Sequence, residues 1–349
     1  IMKVESIRAA ILTEINKPLE ITNIQPTPLL KGQILVKIFY SGVCRSQLME
    51  VKGHRGKDKW TPHLLGHEGS GVVIDCHESI TKFKTGDEVI LTWIKSKGEE
   101  AKEIFFNNDG KRINAGHVTT FSNYSVVSEN RVVIKPKNLS FDKAMLFGCA
   151  IPTGAGMMMN QIKPSTEDSV LILGLGGIGL SALIMSLALG VKKIAVIDVN
   201  KSKLDLAKSL GVNFLYHGDS KNIKNEVLVN HTDGFDYCVE SAGLTETIEL
   251  GFELINSQKG QLYFASHPPN GEKIKLKPHD LISGKKIFGS WGGATNPDED
   301  IPKMWSIINN SSIDLEFLIP KTYNLENIND AIDDINKGKV FRPLIKMKH

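Results

Sequence analysis

The chain is poor in cysteine: among 349 residues only Cys44, Cys76, Cys149 and Cys238 occur, far apart and without regular spacing. No CxxC pair is present. This excludes the disulfide framework of a small secreted domain and fits a reducing cytosol. An excess of charge of one sign is also missing: the formal net charge is +3, charged residues make up 23%, and no dense basic tract occurs. Electrostatic attraction to nucleic acid is therefore weak, and no nucleic-acid partner is expected. The opening Ile1-Met2-Lys3-Val4-Glu5 lacks an apolar signal-peptide core after its lysine, so a cytoplasmic protein is expected.

One long uncharged run exists. Val170 to Val191 passes the length test for a membrane-spanning helix, but four glycines fall in its first half. A buried strand, a glycine turn and a buried helix would need the same uncharged positions, so the run is read as soluble core with no membrane partner.

With 41% hydrophobic residues, the length exceeds one ordinary core and points to two domains. The first ~150 residues read as short strands parted by turns: Leu19–Ile24, Gln33–Tyr40, Gly71–Asp75, Glu88–Leu91 and Ser125–Val133. From Ser169 the rhythm alternates. Val170–Leu173, a helix to Leu189, Lys193–Ile197 and a helix over Asn200–Leu210 are followed by Phe235–Val239, Thr245–Ile255 (helix), Gln261–Ala265 and Lys286–Gly289. The fold class is thus α/β: a β-rich domain followed by a doubly wound parallel sheet. The tail shows a helical segment near Asn327–Asn336 and an apolar end, Pro343-Leu344-Ile345. Its pattern fits either another βα unit or a return to the first domain.

Gly174-Leu175-Gly176-Gly177-Ile178-Gly179 lies between an apolar strand and a helix. Glycines there make a tight turn and let backbone N–H groups approach a pyrophosphate at the positive helix end. The next strand ends at Asp198, where a carboxylate accepts hydrogen bonds from the ribose hydroxyls and repels a 2′-phosphate. These features point to NAD. Lys203, one turn later, is within reach of the same ribose or is a solvated surface lysine.

In the β-rich half, Gly66-His67-Glu68-Gly69 sets an imidazole and a carboxylate on a glycine-flanked turn. Cys44 and Cys149 are the other candidate ligands, and two thiolates with one imidazole leave a zinc position open, as in catalytic sites. Spacing alone does not establish the metal, since buried cysteines are commonly inert.

These residues resemble the zinc-containing medium-chain alcohol dehydrogenases, a resemblance that runs over nearly the whole chain. Gly42-Val43-Cys44-Arg45-Ser46, Gly66-His67-Glu68-Gly69, Gly86-Asp87-Glu88-Val89 and Gly148-Cys149 with Thr153-Gly154 match family motifs in order, and the glycine turn, Asp198 and Lys203 fall in register. The resemblance implies a GroES-like catalytic domain from residues 1–150 and 288–349, and a Rossmann coenzyme domain from 151–287. It implies a zinc-dependent oxidoreductase moving a hydride between NAD and a small alcohol or carbonyl substrate, with dimers or tetramers. One catalytic zinc would sit on Cys44, His67 and Cys149, with Glu68 approaching it or orienting the site from behind. Ser46 would relay the substrate proton, or serve merely as a helix N-cap. Arg45 and Arg342 would meet the coenzyme pyrophosphate, and Trp93 would line the substrate pocket.

Three departures stand out. Gln47 replaces an aspartate that orients the zinc histidine in many members, and Met49 stands where some have a relay histidine, leaving water or His54 to carry protons away. Thr92 to Asn123 contains no cysteine, and His117 is its only thiol or imidazole, so no structural zinc is expected. That lobe is expected to rely on exposed ion pairs between Lys95, Lys97, Lys102 and Lys111 and the carboxylates Glu99, Glu100, Glu103 and Asp109, and to be comparatively mobile unless packing or a partner subunit orders it. Rival readings are a polyol dehydrogenase, a metal-free NADPH-dependent reductase of the same fold, and a non-catalytic nucleotide-binding protein.

Overall fold

The computed structural model describes residues 4–349. In chain order its strands are β1 (Ile7–Leu12), β2 (Glu20–Ile24), β3 (Gln33–Gly42), β4 (His63–Leu64), β5 (Glu68–Cys76), β6 (Glu88–Thr92), β7 (Ile104–Asn108), β8 (Lys111–Gly116), β9 (Tyr124–Ser128) and β10 (Val132–Ile134). They continue with β11 (Ser169–Leu173), β12 (Lys193–Asp198), β13 (Phe214–His217), β14 (Tyr237–Glu240), β15 (Gln261–Phe264), β16 (Lys286–Gly289), β17 (Thr322–Asn324) and β18 (Leu344–Lys346). The helices that matter below are α1 (Arg45–Val51), α2 (Gly177–Ala188), α3 (Lys201–Ser209), α4 (Thr245–Leu254) and α5 (Ile328–Asn336).

Two compact units form. One comprises Ile1–Ala150, Asn296–Trp305 and Asp314–His349, the other Ile151–Thr295 and Ser306–Ile313. The first holds a five-stranded sheet, β2-β1-β4-β8-β7, and a seven-stranded sheet, β10-β6-β5-β3-β18-β17, with β9 also on β3. Period-two side chains let β1 serve two cores. Ile7, Ala9 and Ile11 pack with Ile104, Phe106 and Ile113, whereas Ala10 and Leu12 pack with Ile34, Val36 and Ile38 of β3. The tail helix α5 supplies Ile328, Ala331 and Ile332 to that second core. Strand β18 then runs antiparallel to β3, Leu344 opposite Gly42, so the tail returns to the β-rich unit.

The expected strand over Ser125–Val133 is broken by a 3-10 turn at Glu129–Arg131. Glu129 is buried there, and its carboxylate accepts the backbone N–H groups of Glu99 (2.6 Å) and Lys82 (3.3 Å). The cysteine-free lobe is a hairpin, β7–β8, with Phe106 and Ile113 in the core. Apolar packing therefore orders it. Of its expected ion pairs, Lys95–Glu100 forms, while Glu99, Glu103 and Lys97 pair instead with Lys31, Arg112 and Glu299.

The second unit carries six parallel strands in the order β13-β12-β11-β14-β15-β16. Its first strand, β11, lies between β12 and β14, so chain order reverses there, the switch point at which open α/β sheets bind ligands. Leu171, Leu173, Ala195, Ile197 and Cys238 of these strands pack with Ile248 and Phe252 of α4. No helix among the described residues is long and apolar enough to cross a membrane.

Candidate active site

The candidate metal-ligating side chains come from three places in the β-rich unit. Cys44 is the N-cap of α1, directly after β3. Ser46 is therefore not the N-cap but the second helical residue; its Oγ is buried with no hydrogen-bond partner among the described residues. Arg45, the first helical residue, is exposed.

His67 precedes β5 and follows Gly66, whose φ of +86° is unfavourable for any residue with a Cβ. A Cβ there would also strike Thr120 and Phe121, so glycine at 66 lets the imidazole approach. Cys149 follows a 3-10 turn, Met145–Gly148.

The three ligand atoms lie within 4.8 Å of one another. Cys149 Sγ stands 3.2 Å from His67 Nε2 and 4.0 Å from Cys44 Sγ. Tetrahedral zinc, at about 2.3 Å from sulfur and about 2.0 Å from nitrogen, needs ligand atoms roughly 3.5 to 3.8 Å apart, so this set fits the ion with small adjustments. Of the two thiols, Cys44 gives up its proton first: its hydrogen bond with Cys149 holds it well below the ordinary thiol value, with Arg342 adding to this, against burial. The same hydrogen bond and burial push Cys149 well up.

Glu68 is fully buried behind the ligands, and burial pushes its carboxyl up to about 7, with Arg342 pulling the other way. The Arg342 Nε lies 3.3 Å from Glu68 Oε1, and Arg342 Nη1 donates to the Val43 carbonyl. Arg342 is 3% exposed. Burial opposes its charge, but Glu68 and Cys44 outweigh that and hold the guanidinium charged. The family resemblance implies a pyrophosphate contact for Arg342; its pairing with Glu68 had no signal in the sequence, because nothing local links residues 68 and 342.

Trp93 is half-buried, its ring edge-on to His67 with centroids 6.4 Å apart. A cavity of about 350 Å³ borders His67 and Gln47 and is walled by Trp60, His63, Leu64 and His117. Neither cysteine nor Trp93 lines it.

In the other unit, Gly174–Gly179 joins β11 to α2. A Cβ at Gly179 would collide with the Gly174 carbonyl oxygen and Ser241 Oγ, which explains glycine at that position. Asp198, 8% exposed at the end of β12, accepts the Leu175 N–H through Oδ2 (2.6 Å) and the Asn200 N–H through Oδ1 (2.8 Å). Lys203 is half-buried in the first turn of α3. Two residues that sequence reasoning passed over complete the switch point. Ser241 Oγ donates to the Gly174 carbonyl (2.6 Å), and Glu240 Oε1 accepts the N–H groups of Ala242 and Gly243 (both 2.9 Å). Their signal was available: both sit at the carboxyl end of a parallel strand, next to the one bearing the glycine turn.

Residues 30–137 match the alcohol dehydrogenase GroES-like domain and residues 177–310 the zinc-binding dehydrogenase domain. An S-(hydroxymethyl)glutathione dehydrogenase of Escherichia coli (strain SMS-3-5 / SECEC) is 30% identical, the match covering 97% of this chain and 99% of that one. The chain belongs to the zinc-dependent medium-chain alcohol dehydrogenase family, oxidoreductases acting on CH–OH donors. Among solved structures, benzyl alcohol dehydrogenase from Acinetobacter calcoaceticus shares the fold with a TM-score of 0.89 at 24% identity, covering 99% of this chain and 100% of that one. An Escherichia coli CFT073 alcohol dehydrogenase complexed with NADH also shares it, with a TM-score of 0.82 at 20% identity over 98% and 100% of the two chains.

Proposed function

We propose that this chain is an NAD-dependent alcohol dehydrogenase with one catalytic zinc held by Cys44, His67 and Cys149. The observation that carries this reading is the three-ligand cluster itself, two thiols and an imidazole at zinc-like spacing with no fourth protein ligand grouped among the described residues. Zinc there supplies Lewis acidity to a substrate oxygen, and NAD at the Gly174–Gly179 turn supplies the hydride acceptor.

The chain's own residues do the rest. Ser46 takes the substrate proton at Oγ, which is buried and not committed to another bond. Arg342 stands 3.3 Å from Glu68 behind the ligands and draws its carboxyl toward the charged form, and Trp93 confines the substrate beside His67. Asp198 Oδ1 and Oδ2 each keep lone pairs beyond the N–H bond they accept, and these bind the ribose hydroxyls and exclude a 2′-phosphate. Lys203 and the exposed Arg45 serve the same coenzyme, Lys203 at its ribose and Arg45 at its pyrophosphate. We assign coenzyme binding to residues 151–287, expect a homodimer or homotetramer, and place the protein in the cytoplasm, where its four free cysteines stay reduced.

The test is a kinetic screen of zinc-replete protein against primary, secondary and aromatic alcohols, their aldehydes and ketones, and S-(hydroxymethyl)glutathione. Turnover with NAD is expected, with kcat/KM for NADP at least tenfold lower. Equal or better use of NADP would overturn the role of Asp198; no turnover of any carbinol or carbonyl would overturn the enzymatic reading.

A further inference from the structure

The side chain of Gln47, third residue of α1 and 1% exposed, joins two of the three metal-ligating residues. Its Oε1 accepts the backbone N–H of Cys44 (2.9 Å), and its Nε2 lies 2.5 Å from His67 Nδ1. In this arrangement every group is satisfied. With the His67 proton on Nε2, Nδ1 accepts from the amide and Nε2–H faces Cys149 Sγ at 3.2 Å.

Coordination through His67 Nε2 changes the inventory. A neutral imidazole that gives one ring nitrogen to a metal carries its proton on the other, so Nδ1 must become a donor. The Cys44 N–H is always a donor. Two donors then face one carboxamide, which offers a single acceptor atom and one NH₂ group. Neither orientation of the amide satisfies both. A carboxylate would, with one oxygen for each donor. Glu50, an acid in the same cavity wall, is held by Arg55 at 3.0 Å.

We propose that Gln47 is a positioning residue that makes this centre an exchangeable metal site. Loading turns the amide so that Oε1 accepts the His67 Nδ1–H, and the half-buried N–H of Cys44 loses its protein acceptor. The metal-free form keeps all its hydrogen bonds, so the carboxamide shifts the balance toward release. The enzyme then responds to the availability of zinc over a range in which a carboxylate-backed centre would stay full. The inference rests on the zinc reading above, and its experiment separates the two.

Zinc affinity of the full-length chain and of Gln47→Glu is measured by competition with a chromogenic chelator. Hydrogen exchange at the Cys44 amide is followed in both, with and without zinc, by fragment mass spectrometry. The carboxylate variant is expected to bind zinc at least tenfold more tightly, in line with the effect of partners behind metal ligands. In the natural chain, zinc should speed exchange at the Cys44 amide; in Gln47→Glu it should not. Equal or weaker binding by the variant overturns the proposal. Tighter binding with unchanged Cys44 exchange in the natural chain also overturns it, because added negative charge alone would then explain the gain. If the variant does not fold, exchange in the natural chain decides by itself. Failure of both proteins to bind zinc refutes the metal site instead.

Discussion

At the scale of residues, the centre is built from groups that are costly to bury singly and are tolerated together. Glu68 is 0% exposed and Arg342 3% exposed, and each is the other's principal opposite charge. Removing one partner of such a pair typically costs about 3–5 kcal/mol, because the remaining charge is stranded away from water. Arg342→Ala should therefore destabilise the β-rich unit by that order, seen as a lower denaturation midpoint. Adding Glu68→Gln should recover part of the loss, since the amide has no charge to strand. A double variant no more stable than Arg342→Ala would show that the pair is not coupled. The ligands themselves were legible as candidates because cysteine is scarce and His67 sits on a glycine-flanked turn. The pairing of Glu68 with Arg342 was not legible. It joins strand β5 to the segment before β18, and only the sheet brings those segments together.

At the scale of elements, alternating strands and helices after Ser169 were readable from periodicity, and the structure places β11, α2, β12 and α3 within a residue or two of the expected bounds. Strand β1 and the β7–β8 hairpin were not anticipated. The hairpin had a signal: Asp109 and Gly110 form its two-residue turn with φ of +47° and +78°, the backbone that Asp-Gly favours. In the other unit, Asp236 fixes the starts of two neighbouring strands. Its Oδ2 accepts both the N–H and Oγ–H of Ser169 (2.9 Å each), and its Oδ1 pairs with Lys259 at 2.7 Å. Burial raises its pKa, but Lys259 and Ser169 together outweigh burial, and the group is held below its ordinary value.

A depressed carboxylate stabilises the fold above its unfolded pKa, about 3.9, and that contribution disappears as pH falls through the lower folded value. Asp236→Ala should cost roughly 1.5–3 kcal/mol at neutral pH, the range for hydrogen bonds to charged groups. The gap between variant and natural chain should narrow below about pH 4, as the unfolded-state carboxyl titrates. Chemical denaturation at pH 7 and at the lowest pH where both remain folded checks this. A gap independent of pH would mean that the carboxylate's charge contributes nothing.

At the scale of the whole molecule, each unit has its own core and holds one part of the proposed chemistry. Cys44, His67, Glu68, Cys149 and Arg342 belong to the β-rich unit, and the glycine turn with Asp198 belongs to the parallel-sheet unit. The ambiguity of the tail disappears with the pairing of β18 on β3, a contact that no local pattern in Pro343-Leu344-Ile345 could distinguish from another βα strand. The central claim is that a single zinc on Cys44, His67 and Cys149 makes this molecule an enzyme. It is tested most directly by loading the purified chain with zinc, removing the excess, and measuring bound metal and alcohol oxidation together, in the natural protein and in Cys149→Ala. The account predicts close to one zinc per chain, with most of the metal and the activity lost in the variant. A value near two, or full activity in zinc-free protein, would contradict it.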